Sequence, residues 1–208
     1  MHAPRQRKGQ SLVEFVLILP LFLLILSGLV EFGFWMLKYS NMVQATRNAA
    51  RFALDNDYRF IKAQCTPVRT SACDAVCGED FYCKTALMAI NALAQYAPQI
   101  TLDPATDDVV ISVFTLTEGH YVTNRFPDND GWSYYGTRSS RFTSADVQHL
   151  LQTRGVQNTS TGYVLVEVFY NYHQVLGLPW LKAFVPDPLP LHSYTFMPLY
   201  SAAPTPTP

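Results

Sequence analysis

Few side chains of this 208-residue chain stand close enough in sequence to do chemistry together, and the cysteines are the first such group. Cys65, Cys73, Cys77 and Cys83 are the chain's four cysteines, with seven, three and five residues between them. Zinc sites usually draw ligands from two Cys-x2–4-Cys pairs. Only Cys73 and Cys77 have that spacing, and no histidine lies near. An even cysteine count in an exported domain favours two disulfides, with three pairings open. Metal ligands and free thiols are the alternatives. Asp128-Asn129-Asp130-Gly131 has the composition of a calcium loop. Such a loop would need an acid at 126 and a glutamate at 137, where this chain has Phe126 and Thr137. It reads as a turn. Beside it, Trp132, Tyr134 and Tyr135 are either a surface binding patch or aromatics packing a loop onto the domain. The five histidines are scattered, and no nucleophile, phosphate-loop or metalloprotease motif occurs. The expectation is a protein that is not an enzyme and carries no metal or cofactor.

The remaining reactive group is a carboxylate in an unusual place. Glu14 opens an apolar run in which Phe15 to Val30 holds no charge. Leu12 to Leu37 would make about 39 Å of helix at ~1.5 Å per residue, against a hydrocarbon core of ~30 Å. The run is too long for a secretory signal's apolar region, and no Ala-x-Ala site follows it. An uncleaved anchor and a prepilin-type signal remain. Arg5, Arg7 and Lys8 precede the run without an acid among them, so the N-terminus is expected in the cytoplasm and the rest outside. A charge at the membrane centre costs on the order of 2.5–3.5 kcal/mol, and less near its edge. A cut after Gly9 would make Glu14 the fifth residue of the new chain. There it could meet the N-terminal amine of a neighbouring helix and set the axial register. Alternatively it favours the positive end of its own helix.

Gly9-Gln10-Ser11-Leu12-Val13-Glu14-Phe15, the apolar run with Pro20, and then Glu31-Phe32-Gly33 resemble the TadE-like family. These are pilin-like minor subunits of the tight-adherence pilus apparatus, related to type IV pili. The stretch Gln44 to Ala53 is similar to the family's pattern after the membrane helix. Val164 to Tyr170, followed by Leu176-Gly177-Leu178, is similar to its late strand and following loop. The resemblance implies cleavage between Gly9 and Gln10 by a membrane-bound prepilin peptidase. It also implies an assembly role for Glu14 and Phe15, and partners among other pilin-like subunits and the assembly platform. A permanently anchored binding or adhesion protein, with its leader intact, is the alternative.

The elements that would position these groups follow from periodicity. The helix should run on to about Asp55, with Met42, Ala45, Ala49 and Phe52 on one face and Arg47 and Arg51 on another. Lys84 to Tyr96 reads as a second helix stopped by Pro98. Asp108 to Thr117 reads as a middle strand, apolar on both faces. Tyr121 to Thr143 reads as a long exposed loop, Ser144 to Gln152 as a short helix, and Gly162 to Tyr172 as a strand. Leu176 to Pro190 is a loop with four prolines, and His192 to Tyr200 a last strand. The fold class is α+β: a long N-terminal helix, transmembrane in its first half, with a small antiparallel sheet, as in pilins. The expected divisions are a leader 1–9, a transmembrane helix 10–38, an extension 39–56, an extracytoplasmic domain 57–202 and a Pro/Thr tail 203–208. A net charge of −1 from 15 basic and 16 acidic residues gives no basic face for nucleic acid.

Overall fold

The computed structural model describes residues 10–66, 69–117, 121–128, 130–154 and 160–204. The leader with Gly9, and the last four residues of the tail, lie outside the described residues. The chain divides into two compact bodies. One holds the helix up to Leu37 together with Tyr172–Leu189; the other holds Lys38–Asn171 together with the residues from Pro190 onward.

Helix α1 runs unbroken over Gln10–Leu54, with Pro20 inside it. From Leu12 to Leu26 no apolar side chain of this helix is covered by protein; every one is exposed. From Lys38 the helix belongs to the second body and its character changes. Met42, Ala45, Ala49, Ala50 and Ala53 are buried within that body, and Thr46 Oγ1 lies 2.9 Å from Thr195 Oγ1. Four alanines on that face let the helix come close. Arg47 and Arg51 are exposed, on a solvated face.

In the second body α2 (Ser71–Asp74) and α3 (Phe81–Tyr96) precede strand β1 (Asp108–Thr117). Then come β2 (Tyr121–Phe126), β3 (Trp132–Ser133), α4 (Ser144–Thr153) and β4 (Thr161–Tyr172). α5 (Pro179–Lys182), which belongs to the first body, and β5 (Leu189–Pro198) complete the chain. The strand order is β2-β1-β4-β5, with β3 also pairing with β1. β1 pairs antiparallel with β2, β3 and β4, so it is a middle strand, as its two apolar faces predict. Phe114, Leu116 and Leu165 face Val147 and Leu151 of α4 on one side. On the other, Ile111 lies opposite Trp132, whose ring packs on Tyr82 of α3.

Three readings of the sequence need correction. Tyr121 to Thr143 is not a long exposed loop. It supplies β2 and β3, and Trp132 and Tyr134 are buried at 1% and 6% exposure. The reason is Asp108: its carboxylate accepts hydrogen bonds from the amides of Tyr135, Thr137 and Arg138 and from the Ser133 hydroxyl. The second helix begins at Phe81 rather than Lys84, because Asp80 caps it by accepting from the Cys83 amide at 2.8 Å. The last strand begins at Leu189 and the proline-rich loop before it contains α5, started by Pro179 at its first turn.

Candidate functional site

The first body contains a buried carboxylate that the sequence reading did not single out. Glu31 sits in the apolar part of α1 yet is only 5% exposed. It accepts the Tyr172 hydroxyl and the Val175 amide (2.8 Å) on Oε1, and the Leu176 amide (2.9 Å) on Oε2. Two consecutive backbone N–H groups thus straddle the carboxylate, and bonds to a charged acceptor are the stronger kind. The result is a clasp holding the segment Tyr172–Leu189 to the helix. Its partners lie 141 to 145 residues away in sequence. The available signal was a single acid at position 31 within otherwise apolar sequence.

The clasped segment braces itself. Gln174 Nε2 donates to the Val185 carbonyl at 3.0 Å, and Lys182 pairs with Asp187 at 2.8 Å. That lysine holds the Asp187 carboxyl below the usual carboxylate range. Gly177 takes a left-handed backbone conformation (φ 56°) that other residues rarely adopt. The side chain of Trp180 lies beside Gly28 of the helix: a Cβ there would stand 3.6 Å from the indole.

The residues expected to act fall into separate places. Glu14 and Phe15 are exposed on the apolar helix, seventeen residues before Glu31. Gln10 is the first helical residue. The cysteines pair Cys65 with Cys73 and Cys77 with Cys83, and all four are buried. Of the three pairings the sequence left open, the structure takes the one that joins sequence neighbours. Trp132 donates its indole N–H to the Cys65 carbonyl at 2.8 Å, which ties β3 to the first disulfide. Trp132 and Tyr134 therefore do not form a surface patch, and Tyr135 is half-buried beside them; Arg69 stacks over Tyr134 at 4.2 Å. No group of three His, Cys, Asp or Glu that could hold a metal occurs among the described residues.

The second body has one polar groove of about 580 Å³, lined by Arg138, Arg141, Phe169, Asn171 and His192 among others. Behind it Glu167 is fully buried and accepts from the Arg141 amide (3.1 Å), with His192 Nε2 at 2.9 Å. The His192 ring stacks on Phe169 at 4.6 Å. Arg125, half-buried on the same face of the sheet, is made less basic by desolvation.

The long helix, its uncovered apolar first half and its single buried acid are what a family comparison can test. The TadE-like protein family matches residues 9–51. The TadE-like match thus spans Gly9, Glu14, Glu31 and α1 down to Arg51, and includes no residue of the sheet. It indicates a protein associated with the Tad pilus and carrying an apolar N-terminal helix. No curated protein and no solved structure matches the chain. Among the described residues one helix is long and apolar enough to cross a membrane, which fits a single-pass membrane protein.

Proposed function

We propose that this chain is a minor pilin or pseudopilin of a Tad-type pilus or secretion apparatus. It is inserted in the cell membrane by α1, with the N-terminus cytoplasmic and the domain 57–202 outside. The observation that carries this reading is the TadE-like match over 9–51, coinciding with a helix that is exposed at every residue from Leu12 to Leu26. A soluble protein would have to hide the thirteen large apolar or aromatic side chains between Leu12 and Leu26; a membrane or a bundle of like helices covers them. In this reading a prepilin peptidase cuts between Gly9 and Gln10. Glu14 then pairs with the new amine of a neighbouring subunit, and Phe15 and the apolar face pack in the bundle. The helix works as an assembled subunit or as a primer of assembly.

The test is the N-terminal mass of the protein purified from its own membranes. A chain beginning at Gln10 supports the pilin reading, and a chain retaining Met1 to Gly9 refutes it. A second reading, a permanently anchored binding protein, draws on the groove around His192, Arg138 and Arg141 rather than on the buried aromatics. It predicts the uncut chain and a monomeric exported domain.

A further inference from the structure

We propose that the segment from Gln174 to Val185 is a second membrane contact, a wedge seated among lipid acyl chains beside α1. The first observation is depth. A hydrocarbon core of ~30 Å takes about twenty helical residues. However those twenty are placed within Leu12 to Leu37, Leu23 and Leu24 fall inside the core, and Glu31 falls at its outer boundary or inside it. Yet the clasped segment reaches past both. A groove of about 570 Å³ is lined by Leu23, Leu24 and Ser27 on the helix and by Leu176, Leu178 and Trp180 on the segment. Side chains that share a groove with Leu23 and Leu24 stand at hydrocarbon depth.

The second observation is composition. Gln174 to Leu181 carries no charge. Val175 and Leu176 are exposed, and Phe184 is 82% exposed, with nothing in the chain covering it. His173 and Asp187 flank the segment, and Lys182, the one charge inside it, is paired with Asp187 at 2.8 Å.

The third observation is how its polar groups are satisfied. Irregular backbone survives at membrane depth only when its N–H and C=O groups find partners in protein. Here the Val175 and Leu176 amides go to Glu31, Gln174 Nε2 donates to the Val185 carbonyl while its Oε1 is left buried without a hydrogen bond among the described residues, and the Lys182 and Phe184 amides go to Leu178 and Leu181. The occupant of the uncovered face is therefore lipid: acyl chains against Val175, Leu176 and Phe184, with the Trp180 indole near the boundary, as interfacial tryptophans are. The inference rests on the helix crossing a bilayer, and not on leader cleavage or assembly.

The test uses the full chain with its disulfides intact, in vesicles of phosphatidylethanolamine and phosphatidylglycerol. Nitroxide labels are placed singly at Phe184→Cys, Leu17→Cys and Arg47→Cys, all exposed positions whose change leaves the fold intact. Position 17 reports the membrane helix and position 47 the aqueous side. The expected result is that the label at 184 behaves as the label at 17. It should collide severalfold more with oxygen, and severalfold less with a water-soluble nickel chelate, than the label at 47. A label at 184 that matches position 47, while 17 stays lipid-like, overturns the wedge and leaves the helix reading standing. All three labels aqueous would refute both. Spin–spin broadening at 184 that vanishes on dilution with unlabelled chain would put a second copy there instead of lipid, and would also overturn the proposal.

Discussion

Replacing Glu31 by alanine should release the segment Tyr172–Leu189 without unfolding the sheet. The carboxylate holds three donors: the Tyr172 hydroxyl and the amides of Val175 and Leu176. Hydrogen bonds to a charged acceptor contribute about 1.5 kcal/mol or more each. Three of them give about 4–5 kcal/mol at the low end of that range. Val175 and Leu176 are partly exposed, so their freed amides regain some solvation, and a loss of about 3 kcal/mol is the working figure. At about 1.4 kcal/mol per decade, local opening becomes about a hundredfold more frequent. Hydrogen–deuterium exchange of peptides covering 172–189 measures this in detergent micelles or vesicles. Glu31→Gln keeps one oxygen for Tyr172 and Val175 but turns an amide N–H against that of Leu176. It should accelerate exchange by about tenfold, which corresponds to one lost bond. Tyr172→Phe removes a different single bond and should give a similar increase. Peptides from Asp108–Thr117 should be unchanged in all three variants. Wild-type exchange at 172–189 in Glu31→Ala would refute the clasp. Equal acceleration in β1 would mean that Glu31 supports the whole molecule and not this segment.

Three further changes probe the second body. Gly162→Ala would drive its new Cβ into the Leu199 carbonyl and Ala202, and would displace the Leu199 N–H that now donates to Gly162 at 2.7 Å. A loss of about 3 kcal/mol is expected from overpacking and one broken bond, read by denaturant unfolding of the oxidised protein. Trp132→Phe should cost about 2–3 kcal/mol in the same assay, from the lost bond to Cys65 and the space left behind; an unchanged midpoint would return the aromatics to the surface. Thr143→Ala opens the capping box of α4 and should cost about 1 kcal/mol near neutral pH. The Thr143 hydroxyl and amide hold the Asp146 carboxyl below its ordinary value of 3.8, so the box's contribution is complete above that pH and fades as pH falls through the lowered value. The gap between wild type and variant should therefore narrow at strongly acid pH without closing, since the Asp146 amide still donates to the Thr143 hydroxyl, as a pH series of unfolding midpoints would show.

What the sequence made legible was local. The apolar run placed the membrane-length helix, and Met42, Ala45 and Ala49 at helical spacing marked the face that its extension buries, with Phe52 half-buried at its edge. The two faces of Asp108–Thr117 were both apolar, and a strand covered on both sides is central. The short α4 was readable from Ser144 onward because its cap is a neighbour in sequence. What was not legible depends on distant partners. Tyr121 to Thr143 is rich in turn residues, and only the buried Asp108 carboxylate, some twenty-five to thirty residues upstream, draws Ser133 to Arg138 into place. The clasp was invisible for the same reason on a larger scale, since Glu31 and Leu176 are far apart in the chain. Of the expected site, Glu14 stood out as an acid in an apolar run, whereas Phe15 came only from the family resemblance. The role of Trp132 was left open between a surface patch and loop packing, because an aromatic beside a turn looks the same in sequence whether it faces solvent or a cysteine carbonyl; the structure takes the packing.

The cysteine pairing has a consequence for how the chain is made. Each bridge closes a short interval, with separations of eight and six residues, and both are complete within the stretch from Cys65 to Cys83. In the orientation proposed above, a chain threaded outward behind its anchor would present that stretch before any strand of the sheet had emerged. Both bonds can then be oxidised while the remaining sequence is still on the inner side, with little entropy needed to bring such near neighbours together. No thiol is left to be captured by a partner further along the chain, because none of the later residues is a cysteine. The oxidising step is thereby separated in time from the long-range pairing of β1 with β4, and an error in the second cannot be locked in by the first.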